Sequence, residues 1–369
     1  MIVRRYTDPA AYRDRVHAFL EREEAVNNLP LGIVYRLAEA SQRTETPVRA
    51  QASQPLLALV EEQGQVVFAM VMTPPHNMIV YGEVATSAPT QPLRPPGEGQ
   101  DTLAWRPPGE EAQDTLARRP PEGEGQDTLA RRPPEGEGQD VPPLSPQEGG
   151  GVGSSSPPAG GIEGGAIEFA VSFLLREGIS PPGVIGPRDV ATRFSSAWCA
   201  RTGCTSSVRT DQMIYRLDRV NPIAYSPGSL IQAAEAHLDL VAEWMTGFSE
   251  VTPEGPLERA EAQARAKDAV GAGRVYLWRD STPVSMAWKT RPTQHGITVS
   301  GVYTPRALRR HGYATSCVAA LSQLLLDEGY AYCTLYTDLA NPTSNHIYQE
   351  IGYRPIRASI DMVFAPPAE

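Results

Sequence analysis

Two separated stretches of this chain follow one pattern. Residues 56–82, LLALVEEQGQVVFAMVMTPPHNMIVYG, read as strand, tight turn, strand, a Thr-Pro-Pro break and a third strand. Residues 274–305, RVYLWRDSTPVSMAWKTRPTQHGITVSGVYTP, repeat the order, with Thr290 and Pro292 echoing Thr73 and Pro74. β-Branched and aromatic residues between turn-formers are what antiparallel strands require. A helix follows each stretch. In the second half Cys317, Val318, Leu321, Leu324 and Leu325 form one helical stripe ending near Gly329, and AIEFAVSFLLREG takes that part in the first half. Each half continues with a short strand (GVIG; YCTLYTD), a further helix (PRDVATRFSSAWCARTG; NPTSNHIYQEIG) and a final strand pair. Amphipathic helical stretches precede the strands, at 9–24 in the first half and at 229–248 and 256–270 in the second. The expected fold is α/β (α+β): two units, 1–220 and 221–369, each a mixed, mostly antiparallel sheet flanked by helices.

A third kind of sequence interrupts the first unit. At 369 residues, with 41% hydrophobic residues, the chain can pack two cores, yet it holds 35 prolines and 32 glycines. Fifteen of each lie in residues 89–165, where RPPGEGQDTLA and its variants recur before GGGVGSSSPPAGG. A stacking solenoid needs more apolar residues than the leucine and alanine each copy supplies, so a disordered low-complexity insertion is expected. It carries six basic and 13 acidic residues, which leaves −3 of the chain's −10 charge for the folded part. The acidic PPEGEG units lack a PxxP frame for a proline-binding partner.

Neither a signal-peptide core nor an apolar run of membrane-spanning length is present, and a soluble cytoplasmic protein without membrane partners is the expectation. Cys199, Cys204, Cys317 and Cys333 are too few and scattered for a disulfide framework and form no CxxC pair; Cys199 and Cys204 are expected to be buried thiols, and no metal is expected. The acidic balance argues against a general nucleic-acid-binding surface.

Chemistry concentrates at one strand-to-helix junction, VYTPRALRRHGYATS, residues 302–316. A helix entrance presents unsatisfied N–H groups and partial positive charge to an anion. Gly312 lets the backbone approach closely, Ala314 keeps the entrance small, Arg309 and Arg310 add fork-shaped charge, and Thr315 adds a hydroxyl. The same segment also reads as a basic helix start with a glycine turn, and it has neither the GK[ST] of a P-loop nor a GxGxxG fingerprint. The insertion occupies the corresponding position in the first unit, which assigns the chemistry to the second.

Arg309-x-x-Gly312-x-Ala314 after a strand, followed by Asn341-x-x-Ser344-x-x-x-Tyr348-x-x-x-Gly352-Tyr353, resembles the GNAT superfamily of acetyl-CoA-dependent N-acetyltransferases. The resemblance covers roughly residues 225–364, with residues 1–220 similar to a degenerate second copy, as in tandem members. It implies an acetyl-CoA co-substrate and a small-molecule or peptide amine acceptor. It further implies that Val302, Tyr303 and Thr304 hold the pantetheine arm through their backbone. The turn of Arg309, Arg310, Gly312, Tyr313, Ala314 and Thr315 would hold the pyrophosphate, Asn341 and Ser344 would touch the cofactor, and Tyr348 would lie near the thioester sulfur.

A phenol is protonated at neutral pH and suits Tyr348 to donate to a departing thiolate; it equally suits a tyrosine packed between helix and sheet. Asn341 and Asn345 also read as a helix cap and a surface amide. The strand GITVSGVYT holds no carboxylate, only Thr298 and Ser300, so the base is open between ordered water, His295 and a first-unit residue. His295 precedes that strand and is expected to be structural. An acyl-CoA-binding or scaffold module without turnover is the alternative function.

Overall fold

The computed structural model describes residues 1–42, 54–82, 162–250, 252 and 255–367. The low-complexity insertion at 89–165 lies outside these except for its last four residues, which already belong to a helix. The described residues form one compact unit.

In the first half, β1 (Ile2–Tyr6) leads to α1 (Pro9–Glu21), whose first turn is capped by Asp8 accepting from the amides of Ala10 and Ala11. Helix α2 (Asn28–Gln42) follows, then the meander β2 (Leu56–Glu62), β3 (Gln65–Met72) and β4 (Met78–Gly82). Next come α3 (Ile162–Arg176), β5 (Gly183–Pro187), α4 (Arg188–Thr202) and β6 (Thr205–Leu217). The second half repeats the sequence of elements: β7 (Ser229–Gln232), α5 (Leu238–Ser249), α6 (Arg259–Gly271), β8 (Val275–Asp280), β9 (Thr282–Thr290), β10 (Gly296–Tyr303), α7 (Tyr313–Asp327), β11 (Tyr332–Asp338), α8 (Pro342–Ile351) and β12 (Arg354–Ala365). The stretch 229–248, expected to be helical throughout, begins instead with β7, because Ser229–Gln232 pairs antiparallel with Tyr276–Arg279 and a helix starts only at Leu238.

All twelve strands join one sheet in the order β1-β2-β3-β4-β5-β12-β6-β11-β10-β9-β8-β7. The last strands of the halves are exchanged. β12 inserts beside β5, with Ile360 opposite Gly186, and β6 lies beside β11, with Leu335 opposite Tyr215. The two exchanged strands then pair with each other from Arg354↔Arg216 to Ala365↔Thr205. Gly183 permits the first contact, since a Cβ there would fall 2.1 Å from the Met362 carbonyl oxygen. Buried Asp361 pins the seam by accepting from Asn77 Nδ2 at 2.6 Å and Arg209 Nε at 2.9 Å.

Helices cover both faces of the sheet, and alternating strand residues supply two cores to each half. In the second half Tyr276, Trp278, Ile297, Val299 and Leu335 face α7 and α8, whereas Val275, Leu277 and Met286 face α5 and α6. In the first half α1 and α2 cover Leu57, Leu59 and Ile79, and α3 and α4 cover Ala58, Val60 and Val80.

Candidate active site

The site begins where two parallel strands part. β10 and β11 share three paired positions, from Gly296↔Tyr332 to Thr298↔Thr334. Beyond Thr298 both strands continue, to Tyr303 and Asp338, but β11 pairs only with β6 on its other side. β10 also changes register against β9 between Ser300 and Tyr303, with Gly301 in the left-handed region at φ 59°. Such a bulge turns main-chain groups out of the ladder. The wedge between the strands therefore offers the unpaired edge of β10 to an extended ligand.

The junction at the open end of the wedge folds as a row of main-chain donors. A short 3-10 turn, Arg306–Leu308, leads to Arg310 at φ 67° and Gly312 at φ 72°, the latter capping α7 without a side-chain hydrogen bond. Ser316 N donates back to the Gly312 carbonyl at 3.0 Å. The amides of Arg310 through Thr315 have no acceptor among the described residues, and the turn is exposed from Arg309 to Gly312. Successive N–H groups held this way at a helix entrance make an anion-binding concavity.

The turn is supported from behind by a segment that motif reading did not single out. Ser226 Oγ donates to the His311 carbonyl at 2.6 Å, and Ser226 N donates to Ser316 Oγ at 2.8 Å. Trp278 Nε1 donates to the Pro227 carbonyl at 3.0 Å and fixes that segment to the sheet. No sequence signal separates Ser226 from any other loop serine.

The remaining candidate residues divide by what already engages them. Val302 packs on the core under α7, and the Tyr303 ring lies 6.3 Å from that of Trp244 on α5. The carbonyl of Tyr303 accepts from Ser285 Oγ at 3.2 Å, and the Thr304 carbonyl accepts from Arg309 Nε at 3.0 Å. Arg310 extends from the exposed turn. Tyr313 turns its hydroxyl to Asp280, donating at 2.9 Å, so its place in the donor row comes from its amide. Asn341 caps α8, its side-chain oxygen accepting from Ser344 N at 3.1 Å. Asn345 donates to the Asp338 and Asn341 carbonyls at 2.9 and 2.7 Å, which ties α8 to the end of β11.

Tyr348 is buried between α8 and the sheet, with its ring 6.1 Å from that of Tyr353. Burial pushes its phenol up to about 12, against a smaller opposing effect of a bond with Ser344. The group is thus a neutral donor across the physiological range.

Thr298, on the strand without a carboxylate, and His295, a candidate base, stand apart from this end of the wedge. Thr298 is fully buried, bonded to Thr334 at 2.9 Å and donating to Asn28 Oδ1 at 3.1 Å. His295 lies at the opposite end of β10, where Glu24 accepts from its backbone amide and pairs with its Nδ1, both at 2.8 Å. That pair joins the first half's α1–α2 connection to the second half. Burial would raise the Glu24 carboxyl, but bonds from Thr293 and His295 bring it below its ordinary value.

The first half has a reduced version of the wedge. β4 and β5 share only Met78↔Val184 and Ile79↔Ile185, and a small cavity beside them is lined by Val26 and Asn27 of the α1–α2 connection and by Leu29 and Pro30 of α2. The turn equivalent to 309–315 would fall outside the described residues. Among the described residues there is no cluster able to hold a metal ion, and no helix is long and apolar enough to cross a membrane.

Comparison with known proteins agrees with this geometry. The FR47-like protein family matches residues 277–361, the segment containing the wedge, the turn and Tyr348. No curated relative matches the sequence. Among solved structures, a GCN5-related N-acetyltransferase from Sphaerobacter thermophilus is similar at TM-score 0.53 and 10% identity, over 100% of this chain and 96% of its own. A Drosophila protein is similar at TM-score 0.55 and 9% identity, covering 100% of this chain and 99% of its own. A tandem GNAT protein from the clavulanic acid biosynthesis pathway gives 0.47 at 12% identity, covering 100% of this chain and 99% of its own. With the motif-bearing segment matched and the element order repeated in both halves of the sheet, the chain has the fold of a GCN5-related N-acetyltransferase, as two units in tandem.

Proposed function

We propose that the second half, residues 221–369, transfers an acetyl group from acetyl-CoA to a primary amine, and that the first half, residues 1–220, serves as structure and as one wall of the acceptor site. The observation that carries this reading is the row of amides from Arg310 to Thr315 without acceptors, at the open end of a wedge between parallel strands. These N–H groups are open to solvent and point to one place at a helix entrance, so a diphosphate can accept from several of them at once. Arg309 and Arg310 add charge at the same turn. The edge of β10 at Val302, Tyr303 and Thr304 holds the extended pantetheine arm, with Asn341 and Ser344 on the facing helix.

Each protein group then has a defined task. The β10 bulge presents the Tyr303 amide to the oxygen that becomes negative as the amine attacks the thioester carbonyl. Tyr348, neutral by burial, gives its proton to the departing thiolate. No carboxylate stands on β10, so proton removal from the amine falls to water in the wedge. The same feature favours a second reading, a protein that binds acyl-CoA without turnover.

Calorimetric titration with acetyl-CoA, together with free-thiol release over an amine panel, tests both. Binding with release supports transfer, and binding without release on any amine supports the second reading. A protein that binds neither acetyl-CoA nor CoA refutes both.

A further inference from the structure

Arg291 follows β9 with φ 49°, a left-handed conformation that non-glycine residues rarely hold without a reason in the surrounding structure. Its guanidinium carbon lies 5.5 Å from the centre of the Tyr336 ring. Its Nε is enclosed and has no hydrogen-bond partner, and none of its nitrogens pairs with a carboxylate among the described residues. Arg291 as a whole is only partly buried, but a donor of a cation that is shut off from solvent and lacks an acceptor is costly, and an anion is the partner that satisfies it best. Burial lowers the pKa of this guanidinium from its ordinary value; Tyr336 opposes that, and a second cation, Arg36, adds a smaller push in the same direction as burial.

The position of the pair is equally specific. Tyr336 lies two residues beyond Thr334, the last β11 residue paired to β10, and so stands inside the wedge. Leu335 points to the α7 core, so Tyr336 and Arg291 occupy the opposite face from the diphosphate-binding turn. The wall there is α2 of the first half: a Cβ on Gly32 would fall 2.7 Å from that of Arg291, and Asn28 is bonded to Thr298 of β10. Arg36 lies one helical turn beyond Gly32 on α2.

We propose that Arg291, with Arg36, is the anion-binding subsite of the acceptor pocket, and that the acceptor is an amine bearing a carboxylate. The proposal rests on the acetyl-transfer reading for the fate of the amine, but the binding it describes can be measured without turnover. A carboxylate accepting from the guanidinium fork supplies an anionic partner that none of the described residues gives, and orients the amine toward β10. It also gives the first half a part in choosing the substrate, since α2 closes the subsite.

The test compares matched acids and amines: phenylalanine with phenethylamine, leucine with isoamylamine, and lysine with cadaverine. Thermal shift of the full chain at millimolar ligand is expected to show stabilisation by at least one amino acid and not by its decarboxylated partner. Arg291→Met should abolish that difference, leave the acetyl-CoA dissociation constant within threefold, and raise the Tm of the unliganded protein by removing the enclosed, unpartnered Nε. Where thiol release is observed, the variant's KM for the acid should rise at least tenfold with kcat nearly unchanged. Arg36→Met should produce the same change in smaller measure, and stands in if Arg291→Met does not fold. Equal stabilisation by acids and amines, no stabilisation by either, or a fall in Tm in the variant would overturn the proposal. Loss of acetyl-CoA binding by the parent would instead refute the transfer reading.

Discussion

Replacing Gly312 separates a diphosphate cradle from a plain helix start. The residue has φ 72°, and a Cβ there would lie 2.7 Å from Ser226 Oγ. Alanine therefore meets two penalties, about 1–2 kcal/mol for the left-handed backbone and about 1 kcal/mol for displacing the Ser226 hydroxyl from the His311 carbonyl. If the turn relaxes to relieve them, the row of amides is lost and CoA affinity falls by roughly 30- to 150-fold, at 1.4 kcal/mol per factor of ten. Aspartate adds a negative charge roughly 5 Å from the diphosphate, a further 1–3 kcal/mol or so at effective dielectric constants of about 20–80. Gly312→Asp should then bind CoA about 10²–10⁴-fold more weakly. Calorimetry with CoA measures the loss, and acetyl-pantetheine, which has no diphosphate, supplies the control. Its kcat/KM should change less than about threefold where turnover is measurable. A Gly312→Asp protein that binds CoA as tightly as the parent, or that loses CoA and acetyl-pantetheine equally, would refute the assignment of the turn. Ser226→Ala should soften the alanine penalty in a double-mutant cycle, because it removes the atom that the new methyl group meets.

Tyr348→Phe should lower kcat about 10²-fold while the CoA dissociation constant stays within about threefold. Because burial raises the phenol to about 12, the hydroxyl stays protonated through pH 10, and the parent's kcat should show no descending limb from this group there. A limb near pH 9 that disappears in the Phe variant would contradict the burial argument. The exchange of β6 and β12 predicts that residues 1–220 and 221–369 expressed separately do not unfold cooperatively as monomers, whereas co-expression restores a soluble complex. Circular dichroism melts and gel filtration decide it, and either half behaving as a stable monomer would sink the expectation.

The repeated pattern of three strands and a helix was readable because alternation and turn residues act within a few positions of each other. The turn at 309–315 was readable for the same reason, since the glycine, arginines and small residues of a helix entrance lie in one short stretch. The partner of a strand leaves no such local trace. Leu335 on β11 presents the same alternation whether Tyr215 of the first half or a residue of its own half lies opposite, and so the crossing of β6 and β12 could not be read. β7 was absorbed into a helical stretch because four residues, Ser229–Gln232, carry too short a pattern to stand out from the helix that follows. Tyr313, placed in the cradle by its position, puts its hydroxyl on Asp280, a contact between β8 and α7 that depends on how the helix lies on the sheet. Arg291 sits in a loop of ordinary polar composition, and only the approach of α2 and Tyr336 makes it exceptional.

The interleaved sheet also sets an order on synthesis. The open side of Gly183–Pro187 is completed by Ser359–Val363, which leave the ribosome much later. A nascent first half must therefore wait, with one flank of its sheet open, through the translation of more than 170 residues before that flank is filled. A chain stopped just before Arg354 would leave Gly183–Pro187 and Thr205–Leu217 each with a hydrogen-bonding edge exposed and open to misassociation.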